Sequence, residues 1–269
     1  MKIDLNLNAQ SHSASELVLV AGYEKTDGDS KKLVNGLWPK EYQAAFNNLM
    51  NSKTFTGATG SKFCFSLEDG TTVMAVGLGD KKKLTYEALR KEISTIYSSI
   101  KGSYSEAVLD LDGFKVKGNL EKTVYTISES IYLTNYSFDK YLSDTKENKL
   151  TKLVLSSKEK KNKTKKLEQS ISKAQIVTSS VNFARDLVNE PPNVLNSETY
   201  AKIIEKDAKK IKGVKVKVLG KSQLQKENAN LFLSVNAGSA YDPKLVHLTY
   251  TPSKVTSKTK HIALVGKGL

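Results

Sequence analysis

Cysteine is nearly absent: Cys64 is the one such residue in 269, so no disulfide can close within the chain, and a reducing compartment suits it. Its setting, Phe63-Cys64-Phe65, predicts a buried and inert thiol on an alternating strand. Long apolar runs are missing as well. None approaches the ~18 residues of a membrane-crossing helix, and the polar opening Lys2-Ile3-Asp4-Leu5-Asn6 has no apolar secretion-signal core. The expectation is a soluble, cytoplasmic protein with no membrane partner. Histidine is scarce, and His12, His247 and His261 are too scattered to suggest a ligand set, so each reads as structural or exposed. The patterns H-E-x-x-H and G-x-S-x-G do not occur, which removes the ordinary signatures of zinc proteases and serine hydrolases.

Acidic residues are also in short supply. Lys and Arg number 42 against 28 Asp and Glu, a formal net charge of +14, which raises the question of a polyanionic partner. The densest block, Lys158-Glu-Lys-Lys-Asn-Lys-Thr-Lys-Lys166, offers no aromatic ring for stacking on bases and no arginine fork for reading them. It reads as a solvated connector, and a nucleic-acid partner is not expected.

What the chain does have is 39% hydrophobic residues, enough for real cores in one or two domains. Strand patterns run from Ile3 to Leu7, Glu16 to Ala21, Lys62 to Leu67, Thr72 to Val76, Ala107 to Leu111 and Leu150 to Leu155. Helical spacing joins Leu84, Leu89, Ile93, Ile96, Tyr97 and Ile100, and again Val124, Ile127, Ile131, Tyr132 and Tyr136. This alternation predicts an α/β first domain over residues 1–160. A long helical pattern follows within 161–192, stopped by Glu190-Pro191-Pro192, and reads as a linker helix. Over 193–269 the pattern predicts a helix capped by Ser197, then strands at Val214 to Val218, Leu231 to Val235, Val246 to Tyr250 and His261 to Val265. Gly57-Ala-Thr-Gly-Ser61 and Gly77-Leu-Gly79 lack the full phosphate-binding spacing and read as turns.

The chain closes on His261-Ile-Ala-Leu-Val-Gly-Lys-Gly-Leu269, an apolar run delivering Lys267 between two glycines. A phosphate-binding loop would need G-x-x-x-x-G-K-[ST], which His261 and Gly268 break. On spacing alone Lys267 is a solvated lysine in a turn.

Four collinear segments give it another reading: Asn182-Phe-Ala-Arg-Asp-Leu-Val-Asn-Glu-Pro-Pro-Asn-Val-Leu195, Leu231-Phe-Leu-Ser-Val-Asn-Ala-Gly-Ser239, Pro243-Lys-Leu-Val-His-Leu-Thr-Tyr250 and Ala263-Leu-Val-Gly-Lys-Gly-Leu269. Together they resemble the leucyl aminopeptidase family, the two-metal cytosol aminopeptidases. Weaker echoes of that family's variable N-terminal domain stand at Val76-Gly-Leu-Gly-Asp-Lys81 with Leu84-Thr85 and Leu89-Arg-Lys91, and at Tyr132-Leu-Thr-Asn-Tyr-Ser-Phe-Asp-Lys-Tyr141. Glu227-Asn-Ala-Asn230 departs from the glycine-rich turn common before the Leu-Phe-Leu-Ser segment.

The resemblance implies a peptidase that removes N-terminal residues from peptides with two divalent ions, zinc or manganese, and a bound bicarbonate, assembled as a homo-hexamer. It implies that Lys267 ligates one ion, a role open only to the neutral amine against a reference pKa of about 10.4. It further implies that a second ligand is the aspartate of a Thr-Phe-Asp-Ser-Gly-Gly-like continuation, and that the remaining ligands, the other catalytic groups and most of the substrate pocket belong to that continuation and later segments, so that no catalytic or substrate-binding residue is assigned here. The expectation is an N-terminal portion: a first domain, a linker helix and the start of an α/β catalytic domain with a central, mostly parallel sheet, inactive on its own. The competing expectation is a non-catalytic binding protein on the same scaffold.

Overall fold

The computed structural model describes residues 1–8, 15–27, 30–34, 38–52, 54–145 and 147–267, in two compact units, Met1–Arg185 and Asp186–Leu269. His12, Gly268 and Leu269 lie outside the described residues.

In chain order the first unit comprises β1 (Lys2–Leu7), β2 (Leu17–Asp27), β3 (Ser30–Val34), α1 (Gln43–Ser52), β4 (Lys62–Ser66), β5 (Thr72–Gly77), α2 (Tyr86–Ile100), β6 (Glu106–Asp110), the single turn α3 (Leu111–Phe114), α4 (Leu120–Thr134) and β7 (Lys152–Ser157). Helix α5 (Thr164–Asn189) crosses the division between the units. The sheet runs β1-β7-β6-β2-β5-β4, with β3 paired to β2. Every neighbouring pair from β1 to β5 is parallel, and β4 and β3 pair antiparallel. The mixed α/β architecture is as expected, but the mostly parallel sheet expected of the catalytic domain is found here in the first unit, while the strands described in the second unit pair antiparallel.

Each face of this sheet carries its own core, and β2 shows why. Leu17, Leu19, Ala21 and Tyr23 enter one cluster, while the alternate Val18 and Val20 enter the other. A strand apolar at every position is what burial on both faces demands. The first cluster is closed by Leu89, Ile93, Ile96 and Ile100 of α2, Val124, Ile127 and Ile131 of α4, and Leu167 and Ile171 of α5. Those of α2 and α4 are the residues whose three- and four-residue spacing marked helices in the sequence. Thr85 and Asn119 cap α2 and α4, accepting from the backbone N–H of Ala88 and Lys122. The second face is closed by Trp38, Tyr42, Phe46, Leu49 and Phe55, around α1.

Cys64 corrects one expectation: it is exposed. On the edge strand β4, Phe63 and Phe65 turn inward to the second cluster, and alternation sends the residue between them outward.

The second unit contains α6 (Ser197–Ala208), β8 (Val214–Leu219), α7 (Lys221–Lys226), α8 (Asn230–Asn236) and β9 (Leu245–Tyr250). β8 and β9 form an antiparallel pair in which Val214 faces Tyr250 and Val218 faces Val246. Asn196, not Ser197, caps α6: its side chain accepts from Glu198 and Thr199, and the Thr199 hydroxyl accepts from the Asn196 N–H. Leu231 to Val235, expected as a strand, is α8. A short apolar run fits either state, and a helix satisfies its own backbone, as in the bond from Leu233 N–H to the Ala229 carbonyl. His261 to Val265, also expected as a buried strand, has no regular structure, and Ile262, Leu264 and Val265 are 83%, 94% and 97% exposed. Strand hydrogen bonds need a neighbour, and among the described residues none pairs with this segment.

Candidate functional site

Open α/β sheets bind ligands beyond the carboxyl ends of their strands, where successive connections leave on opposite faces. In the first unit that place lies between β2, which leads to α1, and β5, which leads to α2. Side chains of the unit itself fill it. Trp38 Nε1 donates to the Ala21 carbonyl at 2.6 Å, Tyr23 Oη donates to the Gly113 carbonyl at 2.6 Å, and a Cβ on Gly22 would sit 2.5 Å from the Phe55 ring. Burial pushes the Tyr23 phenol well above its usual pKa, so it stays a neutral donor.

The two glycine turns at the same end hold each other. The Gly77 amide donates to the Ser61 carbonyl at 2.8 Å, the Gly79 amide to Gly57 at 2.9 Å and the Gly60 amide to Gly77 at 3.2 Å. A Cβ on Gly77 would meet the Ala58 oxygen at 2.0 Å, and Gly79 has φ +71°, so both need glycine for close approach and left-handed backbone. The amides of Gly60, Ser61, Gly77, Leu78 and Gly79 are already occupied, and a phosphate-binding loop works by presenting free ones. These are turns, as the sequence reading expected.

In the second unit the candidate residue Lys267 lies at the end of the described chain. α5 stops before Pro191-Pro192, the capping box restarts the chain as α6, and β8 runs antiparallel to β9. Gly213, at φ +86°, lets the chain enter β8 with its would-be Cβ only 2.7 Å from the Thr251 carbonyl. From Thr251 the chain continues without regular structure to Lys267, which is exposed. His247 lies exposed on β9 opposite Lys217, and His261 is exposed in the terminal segment.

Two dications about 3.5–4 Å apart need several oxygen donors around them. Among the described residues no group of three or more His, Cys, Asp or Glu side chains could hold a metal ion. These residues alone therefore do not fit a two-ion centre, and Lys267 stands as a single candidate donor. Among the described residues, no helix is long and apolar enough to cross a membrane.

Comparison with known proteins divides the chain in the same order. Residues 18–145 match the family model "Cytosol aminopeptidase family, N-terminal domain", and residues 182–269 match "Cytosol aminopeptidase family, catalytic domain". A probable cytosol aminopeptidase of Sulfurihydrogenibium sp. is 34% identical over 198 residues, covering 73% of this chain and 38% of that protein. A tomato leucine aminopeptidase mutant superposes with a TM-score of 0.77 at 19% identity, over 96% of this chain and 52% of the other. The bottromycin maturation enzyme BotP in complex with Mn gives 0.67 at 21% identity, over 89% and 46%. The chain thus spans about half, or less, of the length of the proteins it matches.

Proposed function

Because this chain belongs to the cytosol aminopeptidase family, we propose that it serves a metal-dependent aminopeptidase that hydrolyses the N-terminal residue from peptides. The observation carrying this reading is the pair of family matches, first-domain model and then catalytic-domain model, in one order along one chain. Two divalent ions would supply a bound hydroxide and polarise the scissile carbonyl. Lys267 is the residue of this chain proposed to hold one of them through its neutral Nζ. The metal is proposed to be manganese or zinc, and the manganese named with BotP supports the first of these. The proposal extends to peptide substrates, a cytoplasmic setting and a homo-hexamer, all properties of the whole enzyme. The 269 residues alone are proposed to be inactive, since the described donors fall short of a two-ion site.

The test takes the full-length enzyme. Exhaustive chelation is expected to abolish leucyl-amide hydrolysis and metal addition to restore it. Lys267→Met is expected to weaken metal affinity by about a hundredfold, since even residues that only orient ligands are worth about 10–100-fold. Elemental analysis after dialysis reads that loss without reference to activity. Hydrolysis that survives chelation would remove the two-ion mechanism. Unchanged metal content in Lys267→Met would return Lys267 to an ordinary loop lysine. Absence of both hydrolysis and bound metal in the wild-type enzyme would favour a non-catalytic binding protein.

A further inference from the structure

Strand β1 ends the strand order of the first unit and pairs with β7 alone among the described residues. Its inward side is fixed by two bonds: Lys2 N–H donates to the Thr151 carbonyl at 2.8 Å, and Asn8 N–H donates to Glu159 at 3.0 Å. In a parallel pair the peptide groups alternate in direction, so those of Ile3 and Leu5 point away from β7. The side chains alternate too. Ile3 and Leu7 are buried in the helix-covered core with Met1 and Leu5 packed against it, while Lys2 and Asp4 stand on the opposite face, joined at 3.0 Å. A groove of about 300 Å³ of mixed polar and apolar character follows the edge, lined by Met1 through Leu5, Tyr132 and, from α5, Glu168, Ile171, Ser172 and Gln175.

Charged residues on an edge strand commonly deter pairing. Here the two charges are spaced to favour one partner. We propose that β1 docks a second copy of this chain, the two β1 strands pairing antiparallel about a two-fold axis at Ile3. In that register Lys2 faces the partner's Asp4, and Asp4 faces the partner's Lys2, so a self-complementary surface closes as an isologous dimer. Ile3 meets the partner's Ile3 through the outward peptide groups as a hydrogen-bonded pair, which makes Lys2 and Asp4 the non-hydrogen-bonded pair, where side chains approach closest. The register also directs the partner's Met1 and Leu5 toward the groove. A one-residue slip would set Lys2 against an apolar residue and reverse the faces, so the charges select the register as well as the partner. A contact this small belongs to the weak end of specific interfaces, with a dissociation constant on the order of micromolar.

Sedimentation velocity on the 269-residue chain across the micromolar range tests this. Asp4→Lys places like charges opposite each other at both ends of the contact, as does Lys2→Asp. Each is expected to weaken the dimer about tenfold or more. The double variant Lys2→Asp/Asp4→Lys restores both opposite-charge pairs and is expected to return the dimer to near wild-type strength. In a Cys64→Ser background, Ile3→Cys sets two thiols on carbons about 5.5 Å apart, within disulfide reach, and a reducible dimer is expected on oxidation. A chain monomeric throughout the range, self-association indifferent to the charge variants, or a double variant no better than the single ones would each overturn the proposal.

Discussion

The two units differ in what each buries. Of the buried hydrophobic residues among those described, all but Ala201, Ala208 and Leu224 belong to the first unit. In the second unit Leu231 stands 86% exposed and Ile262, Leu264 and Val265 are more exposed still or nearly so. The cause is architectural. A parallel sheet sandwiched between helices covers both of its faces, whereas a two-stranded ribbon is marginal in water unless something packs on it. The first unit has the cores of an independent domain. The second has the secondary structure of one without a comparable interior.

Separating the units tests this difference most severely. Residues 1–189 expressed alone are expected to unfold in a single cooperative transition, and residues 190–269 alone to show none and to bind a hydrophobic dye. Cooperative melting of the second piece, followed by circular dichroism and calorimetry, would erase the contrast. Point truncations sharpen it. Leu89→Ala or Phe46→Ala, at fully buried sites, is expected to cost about 2–5 kcal/mol, while Leu231→Ala is expected to stay within about 0.5 kcal/mol, both read from urea midpoints. A smaller effect concerns pH. Burial pushes the Tyr97 phenol up to about 12, so the stability it lends the first unit is whole below its unfolded pKa of about 10 and is lost as pH rises from there toward 12. Tyr97→Phe is expected to flatten the alkaline decline of the first unit's melting temperature; an unchanged slope would assign that decline to other groups.

Legibility in the sequence follows the same division. Helices α2, α4 and α5 were visible because each repeats one apolar face over three turns or more, and their bonds are local. The strands β1, β2, β5, β6 and β7 were visible as alternating or continuous apolar runs between turn residues. Helix α1 and strand β3 carried no comparable signal and went unread. Leu231 to Val235 and Ile262 to Val265 were misread for one reason: four apolar residues suffice for a strand only where another strand accepts their hydrogen bonds. Cys64 was misjudged because alternation tells which residues share a face without telling which face is inward. As for the candidate site, the four collinear segments drew attention to Lys267, but no spacing pattern announced that the glycine turns would consume each other's amides or that Trp38, Tyr23 and Phe55 would fill the crevice above the sheet.

The sequence by itself determined the family, the α/β character of the first unit and the positions of its long amphipathic elements, because these rest on local periodicity and on segment order. The strand order with β1 at its end, the closed crevice, the caging of the glycine turns and the fate of each short apolar run were decided only by the tertiary structure. A helix closes its hydrogen bonds within itself, while a strand, a turn amide or an edge is defined by whichever distant segment folds against it.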